Sequence, residues 1–312
     1  MNNESWRNWS REELDYQYTP SRWSKQGTPD EVIKHHQQWQ AKEAKRVRES
    51  IECELNISYG MADDQKLDIF GANTLPRESP IFVFIHGGYW QVMTKEDYSY
   101  IALPLTKAGA VTILMEYTRA PKANMGTIVS EVKQGMSYIM NFAKRRESCG
   151  VYLCGHSAGG QLAAILLSMD WMAECMIPSS LIKGALLISG IYDLRPLVPS
   201  SINDPLKMTE ATAKENSPIT VMKDIIKQSK SRRIELVVAD EDPAELRRQT
   251  DETWQVLKHA GISSNSTLIP GVDHFGVVEN IIQESFQVTQ IAIEMMGLNI
   301  GNIDQELKDT AV

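Results

Sequence analysis

The sequence predicts an α/β fold: a mainly parallel, doubly wound sheet of about eight strands flanked by helices. Short, nearly continuous apolar runs recur along the chain, as parallel strands covered on both faces require. Helical stretches separate most of them, the alternation of βα units. The 312 residues, 42% hydrophobic and 23% charged, are enough to bury a large core within one domain.

Residues 1–50 are polar with scattered aromatics (Trp6, Trp9, Tyr16, Tyr18, Trp23, Trp39) and show no strand pattern. They are expected to form an arm packed on a domain spanning 51–312. Residues 30–48 favour helix, with a thin apolar stripe that suits the surface of a larger body. The aromatics are expected to pin this arm down, and a sharper reading has part of it covering an active site. At Ile51 the texture changes. IECELNISY alternates with period two like an edge strand, and KLDIF follows after a polar turn, so an antiparallel pair opens the domain.

The remaining strands are read at 81–86, 111–117, 151–155, 185–190, 234–240 and, more weakly, 266–270. Helices are expected near 95–109, 126–146, 158–170, 245–260 and 276–296. Residues 191–233 are too long for a plain connection and contain Pro196, Pro199, Pro205 and Pro218, which break any single helix. They are expected to form a cap-like insertion after the sixth strand. The final LKDTAV reads as a solvated tail.

A net charge of −8 argues against a phosphate-backbone partner, whose binding is dominated by Lys/Arg. Cys53, Cys149, Cys154 and Cys175 form no C-x-x-C pair, so free thiols are expected. The start lacks the apolar core of an export signal, and no apolar run approaches the ~18 residues of a membrane span. The expectation is a cytoplasmic protein acting on a small molecule, without nucleic acid, membrane or metal cofactor. A homodimer is compatible with the sequence.

The strongest chemical signal is Gly155-His156-Ser157-Ala158-Gly159-Gly160, a G-x-S-x-G between the strand VYLCG and the helical run QLAAILLSM. A serine on a sharp strand-to-helix turn has a strained backbone, and side chains two residues either side would collide. The turn also sets the Ala158 N–H at a helix N-terminus, where a developing oxyanion is favoured. His86-Gly87-Gly88-Tyr89-Trp90 follows the strand IFVFIH. Small residues in such a loop let backbone N–H groups approach a reacting carbonyl; Gly88 and Tyr89 are the expected donors, with Gly87 supporting the loop. His86, at its root, reads as an orienting residue rather than a base.

Serine requires a general base, and the base requires an acid to hold its tautomer. Together the elbow and the glycine loop point to an α/β-hydrolase fold, in which the order along the chain is serine, acid, histidine. Only His259 and His274 follow Ser157. His259 lies late in a helical run, whereas His274 lies in a loop between the last strand and the final helix, so His274 is the expected base. Asp240, Glu241 and Asp242 all close the seventh strand. Spacing does not separate them; Asp242 is preferred for its place in the loop, with Asp240 next. Asp273 stands too close to His274 in sequence and is expected to fix the loop.

These residues resemble the animal kynurenine formamidases (arylformamidases), relatives of the hormone-sensitive-lipase-like esterases. The resemblance spans nearly the whole chain: EELDYQYTPSRW, HGGYW, APK at 120–122, YLCGHSAGGQLAA, SGIYDL and DHFGVVEN. It implies Ser157, Asp242 and His274 as the triad; Asp240 departs from the family's usual strand end. It further implies hydrolysis of N-formyl-L-kynurenine to L-kynurenine and formate in tryptophan catabolism, with no metal. Tyr89 and Trp90 are the expected contacts for the substrate ring. A carboxylesterase for small aryl or short-chain esters would use the same machinery. A non-catalytic binding module would be expected to have lost a triad or loop residue.

Overall fold

The computed structural model describes residues 5–299, so the LKDTAV reading lies outside the described residues. The eight strands are β1 (Cys53–Ser58), β2 (Lys66–Phe70), β3 (Ile81–Ile85), β4 (Val111–Met115), β5 (Val151–His156), β6 (Ile182–Ile188), β7 (Arg233–Ala239) and β8 (Ser263–Ile269). They form one sheet in the order β1-β2-β4-β3-β5-β6-β7-β8. β2 runs antiparallel to both neighbours, and all later pairs are parallel. The α/β-hydrolase architecture read from the sequence is thus present, including its antiparallel opening.

The missing alternation in the strands has a direct cause. On β3, Ile81, Val83 and Ile85 face one apolar layer, while Phe82 and Phe84 face the other. The first layer takes the helices Met125–Arg146, Ala158–Leu167 and Ala244–His259; the second takes residues 96–107 and the helix Gln287–Met295. Both strand faces are dry, so both must be apolar.

Two helical expectations are corrected. Residues 95–109 form a 3-10 turn (Glu96–Ile101) before the α-helix Ala102–Lys107; Pro104 then sits in the first α-turn, where its missing N–H costs nothing. Residues 276–296 divide into short turns and the helix Gln287–Met295, because Phe286 is extended at φ −69°, ψ 136°. Residues 191–232 carry three short helices, Asn203–Leu206, Glu210–Glu215 and Met222–Gln228.

The arm contains the helix Pro29–Ser50, started by a reciprocal Thr28/Glu31 capping box with proline in its first turn. Trp6, Leu14 and Tyr18 pack into the first apolar layer and Val47 into the second, so the arm straddles the sheet. β4 and β5 lie on opposite sides of β3. Connections therefore diverge at β3 and β5, opening a crevice beyond the carboxyl ends of those strands.

Candidate active site

Ser157 follows β5 and precedes the helix Ala158–Leu167 at φ 56°, ψ −119°, a conformation costly for any L-residue. Its neighbours explain how the turn is tolerated. A Cβ on Gly155 would lie 2.1 Å from the Gly159 carbonyl oxygen, and one on Gly159 would lie 2.0 Å from that of Ile85. Both positions are closed to side chains, which is the physical content of the glycine spacing. Across the crevice, a Cβ on Gly87 would lie 2.9 Å from the His156 oxygen, so the two loops are in backbone contact.

The loop after β3 runs through positive φ at Gly88 (92°), Tyr89 (50°) and Trp90 (59°). This curl is held from beneath by His86, fully buried. Its Nε2 lies 2.9 Å from Glu116 Oε1, its Nδ1 2.9 Å from the Gly87 oxygen, and its ring stacks on Tyr117 at 4.3 Å. Tyr117 donates its hydroxyl to the His86 carbonyl at 3.1 Å. Burial pushes the Glu116 carboxyl up, but His86, the Lys95 N–H and Arg119 outweigh it, and its pKa falls below the ordinary range. The N–H groups of Gly88, Tyr89 and Ala158 have no hydrogen-bond acceptor among the described residues. Three free donors on two adjoining turns are what an oxyanion pocket requires.

His274 and Asp242 come together behind Ser157. His274 Nδ1 donates to Asp242 Oδ1 at 2.5 Å. The other oxygen of Asp242 accepts from Ser189 Oγ at 2.5 Å and from the Ala239 N–H at 2.8 Å. Those partners compensate a carboxylate that is entirely buried. Asp240 instead accepts from the Gly271 N–H at 3.1 Å, on the far side of the turn. Asp273 caps its own loop through the N–H groups of Phe275 and Gly276. His259 is bonded to the Gln255 carbonyl within its helix, away from this group.

Ser157 and His274 line one cavity of about 260 Å³ together with Gly88, Tyr89, His156 and Phe275. Ser157 Oγ and His274 Nε2 make no protein hydrogen bond among the described residues; both are available to a molecule in that cavity. Such contacts commonly tighten only when substrate arrives.

The arm supplies much of the remaining wall: Tyr18, Thr19, Pro20, Ser21, Ile33, His36 and Gln37. It is tied to both functional loops. Ser24 Oγ donates to Asp273 Oδ2 at 2.5 Å, and the Lys25 N–H donates to Glu241 Oε2 at 2.9 Å, next to His274 and Asp242 respectively. Tyr89 donates its hydroxyl to the Tyr18 carbonyl at 2.6 Å. From the 191–232 segment, Ile202 reaches the same wall.

Trp90 is a correction. Its side chain is fully buried outside the cavity lining and donates its indole N–H to Gln161 Oε1 at 3.0 Å. Positive φ at this residue turns the ring under the loop, where it supports the curl instead of touching substrate. Two supporting residues escaped the sequence reading. Ser189 holds Asp242, and its only trace is a serine at the strand end in SGIYDL. His156 donates Nε2–H to the His274 carbonyl at 3.0 Å with ring centroids 4.5 Å apart, a contact across 118 positions that no spacing announces.

The BD-FAE family model matches residues 67–175, a span holding both the His86 loop and Ser157. A Danio rerio protein named kynurenine formamidase is 37% identical, covering 94% of this chain and 98% of its own length. The chain belongs to the kynurenine formamidase family. A Salmo salar protein of the same name matches equally, at 37% identity over 94% and 98% of the two chains. A hyperthermophilic esterase from Pyrobaculum calidifontis shares the fold at TM-score 0.67, with 19% identity over 86% of this chain and 93% of that one. The sheet of this chain is thus one that it shares with that esterase. No helix among the described residues is long and apolar enough to cross a membrane.

Proposed function

We propose that the protein hydrolyses N-formyl-L-kynurenine to L-kynurenine and formate, with Ser157 as nucleophile, His274 as general base and acid, and Asp242 as its orienting acid. The observation that carries this reading is the Asp242–His274 hydrogen bond opening onto the same cavity as Ser157, beside three unengaged N–H groups. His274 Nε2 takes the Ser157 proton as Oγ attacks the formyl carbon. The oxyanion is received by the N–H groups of Gly88, Tyr89 and Ala158, with Gly87 keeping the loop open. As the C–N bond breaks, His274 returns the proton to the aryl amine, leaving a formyl ester on Ser157. Water, deprotonated by the same His274, then releases formate and restores the serine.

The formyl group is the smallest acyl group, so the turn around Ser157 can be tight while the arm side accommodates the aromatic leaving group. Tyr89, at the cavity wall, is the ring contact within this reading. Small aryl or short-chain esters would be secondary substrates of the same machinery. The unpaired cysteines support a cytosolic location, and a homodimer is the assembly to be checked by light scattering.

The test is kynurenine release from N-formyl-L-kynurenine by the purified protein, against a short-chain aryl ester. A higher kcat/KM for the formamide is expected. Ester cleavage without formamide cleavage would move the function to esterase.

A further inference from the structure

The cavity around Ser157 contains no Lys, Arg, Asp or Glu among its lining residues. Among the described residues that line it, three histidines are the side chains able to take up a proton and become cationic, and two are committed. His274 serves Ser157. His156 gives its Nε2–H to the His274 carbonyl, and burial, with the neighbouring His274 and His36, holds its pKa well below the ordinary histidine range.

The third, His36, comes from the arm helix. Its Nδ1 lies 2.5 Å from Glu279 Oε1, and its ring packs on Phe275 at 4.9 Å. Phe275 in turn packs edge-on against His274 at 5.7 Å, so His36 stands one ring away from the base. The His36 side chain is 6% exposed and that of Glu279 13%, a hydrogen-bonded pair largely withdrawn from water. His36 Nε2 has no hydrogen-bond partner among the described residues and is not sealed from solvent, so it is the free ring nitrogen that this pair offers to the cavity it lines. A carboxylate entering an otherwise apolar cavity loses hydration and must meet a charged donor there.

We propose that the His36–Glu279 pair is the docking point for the carboxylate of an α-amino-acid substrate. Glu279 accepts the Nδ1–H and fixes the ring, and the ring takes up a proton from water at Nε2 as that nitrogen meets the carboxylate oxygen, so the carboxylate binds to an imidazolium. The site thereby prefers aryl formamides that carry an amino-acid arm over neutral ones. This rests on the formamidase reading and names the group that reads the non-reacting end of the substrate.

The experiment compares kcat/KM for N-formyl-L-kynurenine and for its α-carboxamide, in the wild type, His36→Gln and Glu279→Gln. In the wild type the carboxylate substrate is expected to be preferred by about tenfold to a hundredfold, mainly through KM, the range of one charge-assisted hydrogen bond. His36→Gln should bring that ratio close to unity, and Glu279→Gln should lower it by a smaller factor. Because the ratio is read within one protein, loss of folded material does not alter it. An undiminished ratio in His36→Gln, or equal losses on both substrates, overturns the docking role alone. A wild type that cleaves the aryl ester but neither formamide overturns the formamidase reading, and this inference with it.

Discussion

The two turns that flank Ser157 and the wall that faces them are built on opposite principles. At the turns, backbone presses on backbone: Gly155, Gly159 and Gly87 stand where a Cβ would sit 2.1, 2.0 and 2.9 Å from carbonyl oxygens. At the wall, the arm meets the loops through side-chain hydrogen bonds such as Tyr89 to the Tyr18 carbonyl and Ser24 to Asp273. The turns leave almost no freedom of sequence, because no other residue fits. The wall can be rebuilt with different side chains while the chemistry stays fixed, which suits a fold that hosts many substrates.

The largest effect should come from the turns. Ser157→Ala is expected to lower kcat by about 10⁵ to 10⁶ on formamide and ester alike, the scale of removing a triad nucleophile. Asp242→Asn should cost about 10⁴ in kcat, since the amide favours the wrong His274 tautomer. Stopped assays of both substrates check each; a loss confined to one substrate would break the division between turns and wall.

Gly159→Ala should destabilise the fold by about 3 kcal/mol or more, because the new methyl meets the Ile85 carbonyl. The urea midpoint measures it, and a midpoint like that of the wild type would show the turns to be less constrained than argued. A smaller effect belongs to His156. Its folded pKa is depressed, so its contribution to stability is fully present above the unfolded value of 6.5 and is lost as pH falls through the folded one. Below pH 6.5 it contributes a slope of about 1.4 kcal/mol per pH unit. His156→Gln should flatten the pH dependence of the unfolding free energy, measured by urea titration, by that amount. Last, Trp90→Phe removes one buried hydrogen bond to Gln161, about 1 kcal/mol of stability, and should move KM by less than about twofold. A large KM change would return Trp90 to the wall.

The same contrast explains what was legible in the sequence. The sheet could be read because burial on both faces writes itself as unbroken apolar runs. Ser157, Gly88 and Ala158 could be read because strained turns demand glycine at fixed offsets, and His274 because the chain order left one loop histidine. Spacing alone did not separate Asp242 from Asp240; place in the loop favoured Asp242 and family resemblance strengthened that choice, and in the structure the two carboxylates leave the same strand end in different directions. The wall was legible only as a suspicion about the arm. Tyr18, His36 and Ile202 converge from positions far apart in the chain, and aromatic content alone pointed as readily to Trp90, which is buried beneath the loop. Contacts of that kind leave no spacing to read.

The most direct measurement titrates the protein with a fluorophosphonate and follows both the modified peptide and the turnover of N-formyl-L-kynurenine. One label on Ser157, with activity falling in proportion to it, is the predicted result. A label on another residue, or turnover that persists with Ser157 fully modified, would contradict the account.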